Sequence, residues 1–239
     1  MTKEFIQKVQ GGLIVSCQAL AAEPLYSSFI MSRMALAAQV SGAVGIRANT
    51  VVDIQAIKDQ VDLPLIGIIK QDYEGYSVFI TPTLKEVRAV CAAGAEVVAM
   101  DGTQRSRPND ETLEEIITTI KKEYPEILLM ADCSNLEDAS LAESLGFDFV
   151  GTTLYGYTEG TQGCDIADND FQFLKEVLAI TSLPVIAEGK VDTPEKAKRV
   201  IELGCLCVVS GGAITRPQEI TKRFADAVKS AEKTEECEF

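Results

Sequence analysis

Eight times between Leu13 and Ala231 a short apolar run gives way to a segment with helical periodicity, and no other feature of this 239-residue chain constrains its fold as tightly. The apolar runs are LIVSCQ, AVGIRA, LIGIIK, EVVAMD, ILLMAD, FVGTT, VIAEG and CVVSGG. The periodic segments extend from SSFIMSRMALAAQV (27–40) to RPQEITKRFADAVKSA (216–231). Nearly continuous runs of Val, Ile and Leu suit strands buried on both faces of a parallel sheet. Gly94, Gly146 and Gly204 stand where helix C-caps feed the next strand, a joint repeated in AAGAEVVAMD, SLGFDFVGTT and ELGCLCVVSG. Strict strand–helix alternation repeated eight times predicts a TIM (β/α)8 barrel, one α/β domain over 1–239 with a short acidic C-terminal tail, KTEECEF. A doubly wound open sheet is the competing architecture, but SCQALAAEP stands after the first strand where the GxGxxG fingerprint belongs. Residues 73–81 read as an excursion after the third strand, carrying a short extra strand, SVFIT.

Composition narrows the chemistry. The chain has no histidine, which removes Ser-His and Cys-His nucleophile arrangements, His-rich metal sites and the commonest general base. Proton transfer must then use Lys, Asp, Glu, Tyr or Cys. Seven cysteines form no CxxC pair, and Cys205 with Cys207 lacks partners to complete a metal set; free thiols and no metal are expected. A formal charge of −14 argues against a nucleic-acid partner, because such binding rests on Lys and Arg neutralising phosphates. The first residues, MTKEFIQKVQGG, have no signal-type apolar core, and the longest apolar run, Leu63–Ile69, is too short to span a bilayer. The expectation is a soluble cytoplasmic protein with no membrane partner.

In a barrel, residues at the C-terminal strand ends line the active-site face. In order these are Gln18, Arg47, Lys70, Asp101, Asp132, Thr152 with Thr153, Glu188 and Gly211. One polar strand end is commonly a cap or loop anchor; seven consecutive ones carrying five charges point to a site. Lys70 suits a general base or a Schiff-base amine, its pKa lowered by desolvation and by Arg47. Glu188 suits a second acid or base, or a structural ion pair with Lys70. Two glycine-rich stretches, EGK (Glu188, Gly189, Lys190) and SGGAIT (with Gly211 and Gly212), follow strands seven and eight, with Arg216 behind them. This is where such barrels hold phosphate on backbone N–H groups. Asp101 and Asp132 could instead cap the following helices.

These residues sit in longer motifs: GGLIVSCQAL, GAVGIRAN, IGIIK, ITPTLKEV, LLMADCS, GFDFVGTTLYGYT, PVIAEGKVDTPE and GGAITRPQEITKRF. Together, from about Gly11 to Phe224, they closely resemble the N-acetylmannosamine-6-phosphate 2-epimerase family. The resemblance implies a cofactor-independent barrel that interconverts N-acetylmannosamine 6-phosphate and N-acetylglucosamine 6-phosphate in sialic acid breakdown. It implies that Lys70 and Glu188 are the catalytic pair and that Gln18, Arg47 and Asp132 contact the sugar. Arg216 and the two glycine loops match the phosphate end, and Thr153 joins the substrate-binding candidates. AAEPLYSSFIMSRMALAAQ and DGTQRSRP depart from the family pattern without touching the proposed pair. The expected partners are the phosphorylated N-acetylhexosamine and, as a homodimer, a second copy of the chain. A Schiff-base aldolase and a phosphate-sensing, RNA-binding barrel are the rival readings.

Overall fold

The computed structural model describes residues 2–232, so the expected acidic tail at 233–239 lies outside the described residues. Eight parallel strands close on themselves in chain order: β1 (Leu13–Cys17), β2 (Gly45–Asn49), β3 (Leu65–Ile68), β4 (Val97–Asp101), β5 (Leu128–Asp132), β6 (Phe149–Gly151), β7 (Val185–Ala187) and β8 (Cys207–Ser210). The register closes the ring through Ile14↔Val209 between β1 and β8. Around it run α2 (Ser28–Val40), α3 (Val51–Lys58), α4 (Leu84–Ala93), α5 (Leu113–Glu123), α6 (Leu136–Leu145), α7 (Asp168–Ile180) and α8 (Pro194–Glu202). The TIM barrel read from the alternation is the fold.

Strand parity divides the interior into two layers. Ile14, Ile66, Ile68, Val97, Ala99, Leu128, Met130, Phe149, Ile186 and Val209 point inward and fill the barrel. Val15, Ile46, Leu65, Val98, Leu129, Val150 and Val208 point outward under the helices. Side chains alternate with a period of two, so the inward parity also carries Gln18, Arg47, Lys70, Asp101, Asp132, Thr153, Glu188 and Gly211. That shared parity aims all eight at the barrel mouth.

Three features differ from the sequence reading. The first residues form a helix, α1 (Thr2–Val9), whose Phe5 and Val9 are buried in the inner layer. Phe5 packs on Phe149, the first residue of β6, with ring centroids 5.3 Å apart, so α1 plugs the end of the barrel opposite the mouth. The expected strand SVFIT is only a single antiparallel bridge, Lys70↔Ile80. Thr81, the residue after the bridge, has left-handed backbone at φ +46°. A short helix not read from the sequence, α9 (Gly212–Thr215), follows β8, and the last expected helix then comes as α10 (Pro217–Glu232). Instead of closing the helical ring, α10 leaves the barrel wall, and residues 221–231 are all exposed. Among the described residues no helix is long and apolar enough to cross a membrane.

Candidate active site

Arg47 organises the mouth. Its side chain, 1% exposed, is aimed inward by β2, and its guanidinium takes Asp132 in a two-pronged grip: Nη2 donates to Oδ2 at 2.6 Å and Nη1 to Oδ1 at 3.1 Å. Nη1 also donates to Glu188 Oε2 at 2.6 Å. Thr153 Oγ1 donates to Asp132 Oδ1 at 2.5 Å and lies 3.3 Å from Glu188 Oε2. One cation therefore serves two carboxylates, and Glu188 pairs with Arg47 rather than with Lys70. Among the described residues Arg47 Nε has no partner.

This crowding sets the protonation of Glu188. Burial, with the neighbouring Asp132 carboxylate adding to it, pushes the Glu188 carboxyl up to about 7, against the opposing pull of Arg47, Lys70 and Thr153. Lys70 moves the other way. Burial, then the positive charges of Arg216 and Arg47, bring its amine down to about 8, while Glu188 and Glu23 oppose the shift. The Lys70 backbone is fixed on two sides. Asn49 Oδ1 accepts its N–H at 2.8 Å, and the bridge to Ile80 holds the other edge.

Lys70 and Glu188 line one cavity of about 360 Å3, together with Gln18, Thr153, Gly189, Lys190, Gly211, Gly212 and Arg216. Gln18 Nε2 donates to Ser16 Oγ at 2.6 Å, and its buried Oε1 has no partner among the described residues. Gly189 has φ +90°, and a Cβ there would come within 3.0 Å of the Thr153 carbonyl, so this turn needs glycine. Lys190 lines the cavity, but its Nζ donates to the Cys164 carbonyl and sits 5.4 Å from the Tyr157 ring centroid. Thr215 Oγ1 donates to the Ser16 carbonyl at 2.7 Å, tying the loop after β8 to β1.

Arg47 and Asp132 stand just behind this lining, as the support of Glu188. Asp132 caps nothing; Asn135 caps α6 through Asp138 N at 2.8 Å. Asp101, though at the mouth, does not line the cavity and anchors a loop. Its Oδ1 accepts Thr103 N (2.9 Å) and Oγ1 (2.6 Å), and its Oδ2 accepts Arg105 Nη2 at 2.5 Å. Sequence reasoning missed Asn49, Tyr157, Glu219 and Arg223. Asn49 shares the inward parity of Arg47 two residues before it and could have been found that way; the others come from loop and helix geometry. Among the described residues no group of three or more Cys, Asp or Glu is placed to hold a metal ion.

Known proteins resemble this chain along most of its length. Residues 31–230 match a family described as "Putative N-acetylmannosamine-6-phosphate epimerase". A protein of Listeria welshimeri named "Putative N-acetylmannosamine-6-phosphate 2-epimerase" is 65% identical over 229 residues, covering 96% of this chain and 97% of its own. One of the same name from Lactiplantibacillus plantarum is 62% identical over 228 residues, covering 95% and 100%. The solved N-acetylmannosamine-6-phosphate 2-epimerase of Clostridium perfringens superposes with a TM-score of 0.88 at 48% identity, over 93% of this chain and 95% of that one.

Proposed function

Because this chain belongs to the N-acetylmannosamine-6-phosphate epimerase family, we propose that it interconverts N-acetylmannosamine 6-phosphate and N-acetylglucosamine 6-phosphate by moving the C2 proton with Lys70 and Glu188. In the open-chain sugar that proton is α to an aldehyde. Neutral Lys70 removes it to give an enolate-like species and becomes an ammonium. Protonated Glu188 returns a proton to the other face of C2 and becomes a carboxylate. The reverse reaction runs the same two transfers backwards.

The observation that carries this reading is the placing of Lys70 and Glu188 on the wall of one cavity, where burial brings the amine down to about 8 and the carboxyl up to about 7. At pH 7 an amine of that pKa is neutral in roughly a tenth of molecules, enough for a general base, and the carboxyl is protonated in about half. Both groups are thus poised near the working pH, as an acid–base pair needs. Gln18 and Thr153 face the sugar, with Arg47 and Asp132 holding Glu188 in place. The loops of Gly189–Lys190 and Gly211–Gly212, with Arg216, hold the phosphate, whose binding energy keeps C2 against the base. No cofactor or metal takes part, and the enzyme works in the cytoplasm as a homodimer in sialic acid breakdown.

Turnover in D2O tests the reaction: deuterium should enter C2 of the product and little should enter elsewhere. Lys70→Ala should lose both exchange and epimerisation; an active Lys70→Ala enzyme would refute the assignment. In Glu188→Gln, exchange that survives while conversion fails marks Glu188 as the second-face acid, and joint loss leaves Lys70 as the single carrier. Borohydride in the presence of substrate should leave Lys70 unmodified, since a Schiff-base aldolase would be trapped there.

A further inference from the structure

The cation assigned to the phosphate is already occupied. Arg216 Nη2 pairs with Glu23 Oε1 at 3.1 Å and its Nε donates to Glu23 Oε2 at 3.3 Å, while its Nη1 lies 3.4 Å from Glu219 Oε1. The other Glu219 oxygen, Oε2, rests against Gly212 where a Cβ would collide with it. One carboxylate thus touches the guanidinium and a glycine of the loop that the phosphate would use, and it lines the same cavity. A carboxylate and a phosphate seek the same donors. From this geometry we infer that Glu219 is an internal competitor: its carboxylate takes up donors at the phosphate end of the cavity, and the substrate's phosphate displaces it. The inference rests on the phosphate end proposed above.

The two acidic partners of Arg216 are held differently. Glu23 sits in the loop after β1, its side chain 21% exposed, and its Oε2 also accepts the Leu20 N–H at 3.2 Å. Glu219 lies in the first turn of α10, 51% exposed, with only Arg216 for an ionic partner among the described residues. Glu219 is therefore the one that leaves, swinging into water past the exposed part of α10. Glu23 stays and keeps Arg216 oriented. Arg223, one turn further along α10, also lines the cavity and has no ionic partner among the described residues. It supplies positive charge to the phosphate once Glu219 has withdrawn.

Inorganic phosphate is the probe, its dissociation constant measured by calorimetry on the full chain at constant ionic strength. Glu219→Gln should bind phosphate about 2- to 5-fold more tightly, the size expected from removing one half-exposed carboxylate contact. Glu219→Asp, whose shorter side chain keeps the charge but falls short of Gly212, should also bind more tightly. Asp226→Asn, which removes an exposed charge from the same helix, should match the unmodified protein, separating local competition from net charge. Arg216→Gln should bind more weakly. Weaker binding in Arg216→Gln with unchanged or weaker binding in Glu219→Gln would overturn the competition while leaving the phosphate end in place. Affinity unchanged in both would overturn the competition together with the assignment of the phosphate end.

Discussion

Arg47 divides one guanidinium unequally, giving Asp132 two hydrogen bonds and Glu188 one. Burial, with Asp132 alongside, outweighs the pull of that one bond and leaves Glu188 able to pick up a proton near neutrality. Lys70 and Glu188 face a shared cavity and influence each other, so they titrate as a pair. Turnover in either direction needs one proton on the pair. Below about 7 the pair carries two protons and Lys70 cannot act as a base; above about 8 it carries none and Glu188 cannot act as an acid. The kcat/KM profile should therefore be a bell peaking between those values in both directions. A profile that only rises, with a single limb near 8, would leave Lys70 working alone. The same cluster bears on stability. Arg47→Met would leave Asp132 buried without its cation, and loss of one partner of a buried pair costs about 3–5 kcal/mol. Urea unfolding should report a loss of that size; a loss under about 1 kcal/mol would mean the pair is not structural.

At the scale of elements, each strand hands its last inward residue to the mouth, and the loops decide how firmly it is held. Asn49 ends β2 and fastens the backbone of Lys70 beyond the end of β3. Asn49→Ala leaves that N–H without its acceptor, so kcat should fall while KM changes little; a change confined to KM would make Asn49 a substrate contact instead. Strand ends, glycine joints and the Lys70 and Glu188 positions were legible in the sequence because each is fixed by local pattern and by the period of two. The Arg47 pairing was not, since its partners stand 85 and 141 residues away. Nor was α1, for TKEFIQKV shows only two strongly buried residues, Phe5 and Val9, and its helix is stabilised by the barrel end it covers. Phe5→Ala should cost about 3–5 kcal/mol in unfolding experiments, as large-to-small changes in a closed core do. SVFIT looked like a strand because its β-branched and aromatic residues suit one, yet its pairing is one bridge long: the Phe79 carbonyl accepts from Gln71 N and Thr81 N donates to the Ile69 carbonyl on either side of Ile80.

Among the described residues the outer ring of helices is interrupted after β8. The helix after β8 ordinarily closes the outer ring between those after β7 and β1, here α8 and α2. In this chain α10 stands away from that gap and carries Phe224 and Val228, 72% and 61% exposed, one turn apart on the same helix face. On the other side Phe29 and Val40 of α2 are exposed as well. A two-fold axis that packs α10 of one copy on α2 of the other would cover both exposed apolar pairs with the same contacts. The proposed homodimer therefore places each α10 against the ring of its partner. Phe224→Glu with Val228→Glu should shift the protein from dimer to monomer in light scattering. Because Glu219, Ile220 and Arg223 of the same helix line the cavity, the monomer should also show a raised KM for the phosphorylated sugar. A variant that stays dimeric would move the interface to another face. A monomer with unchanged KM would mean that the first turns of α10 hold their position at the cavity without the partner.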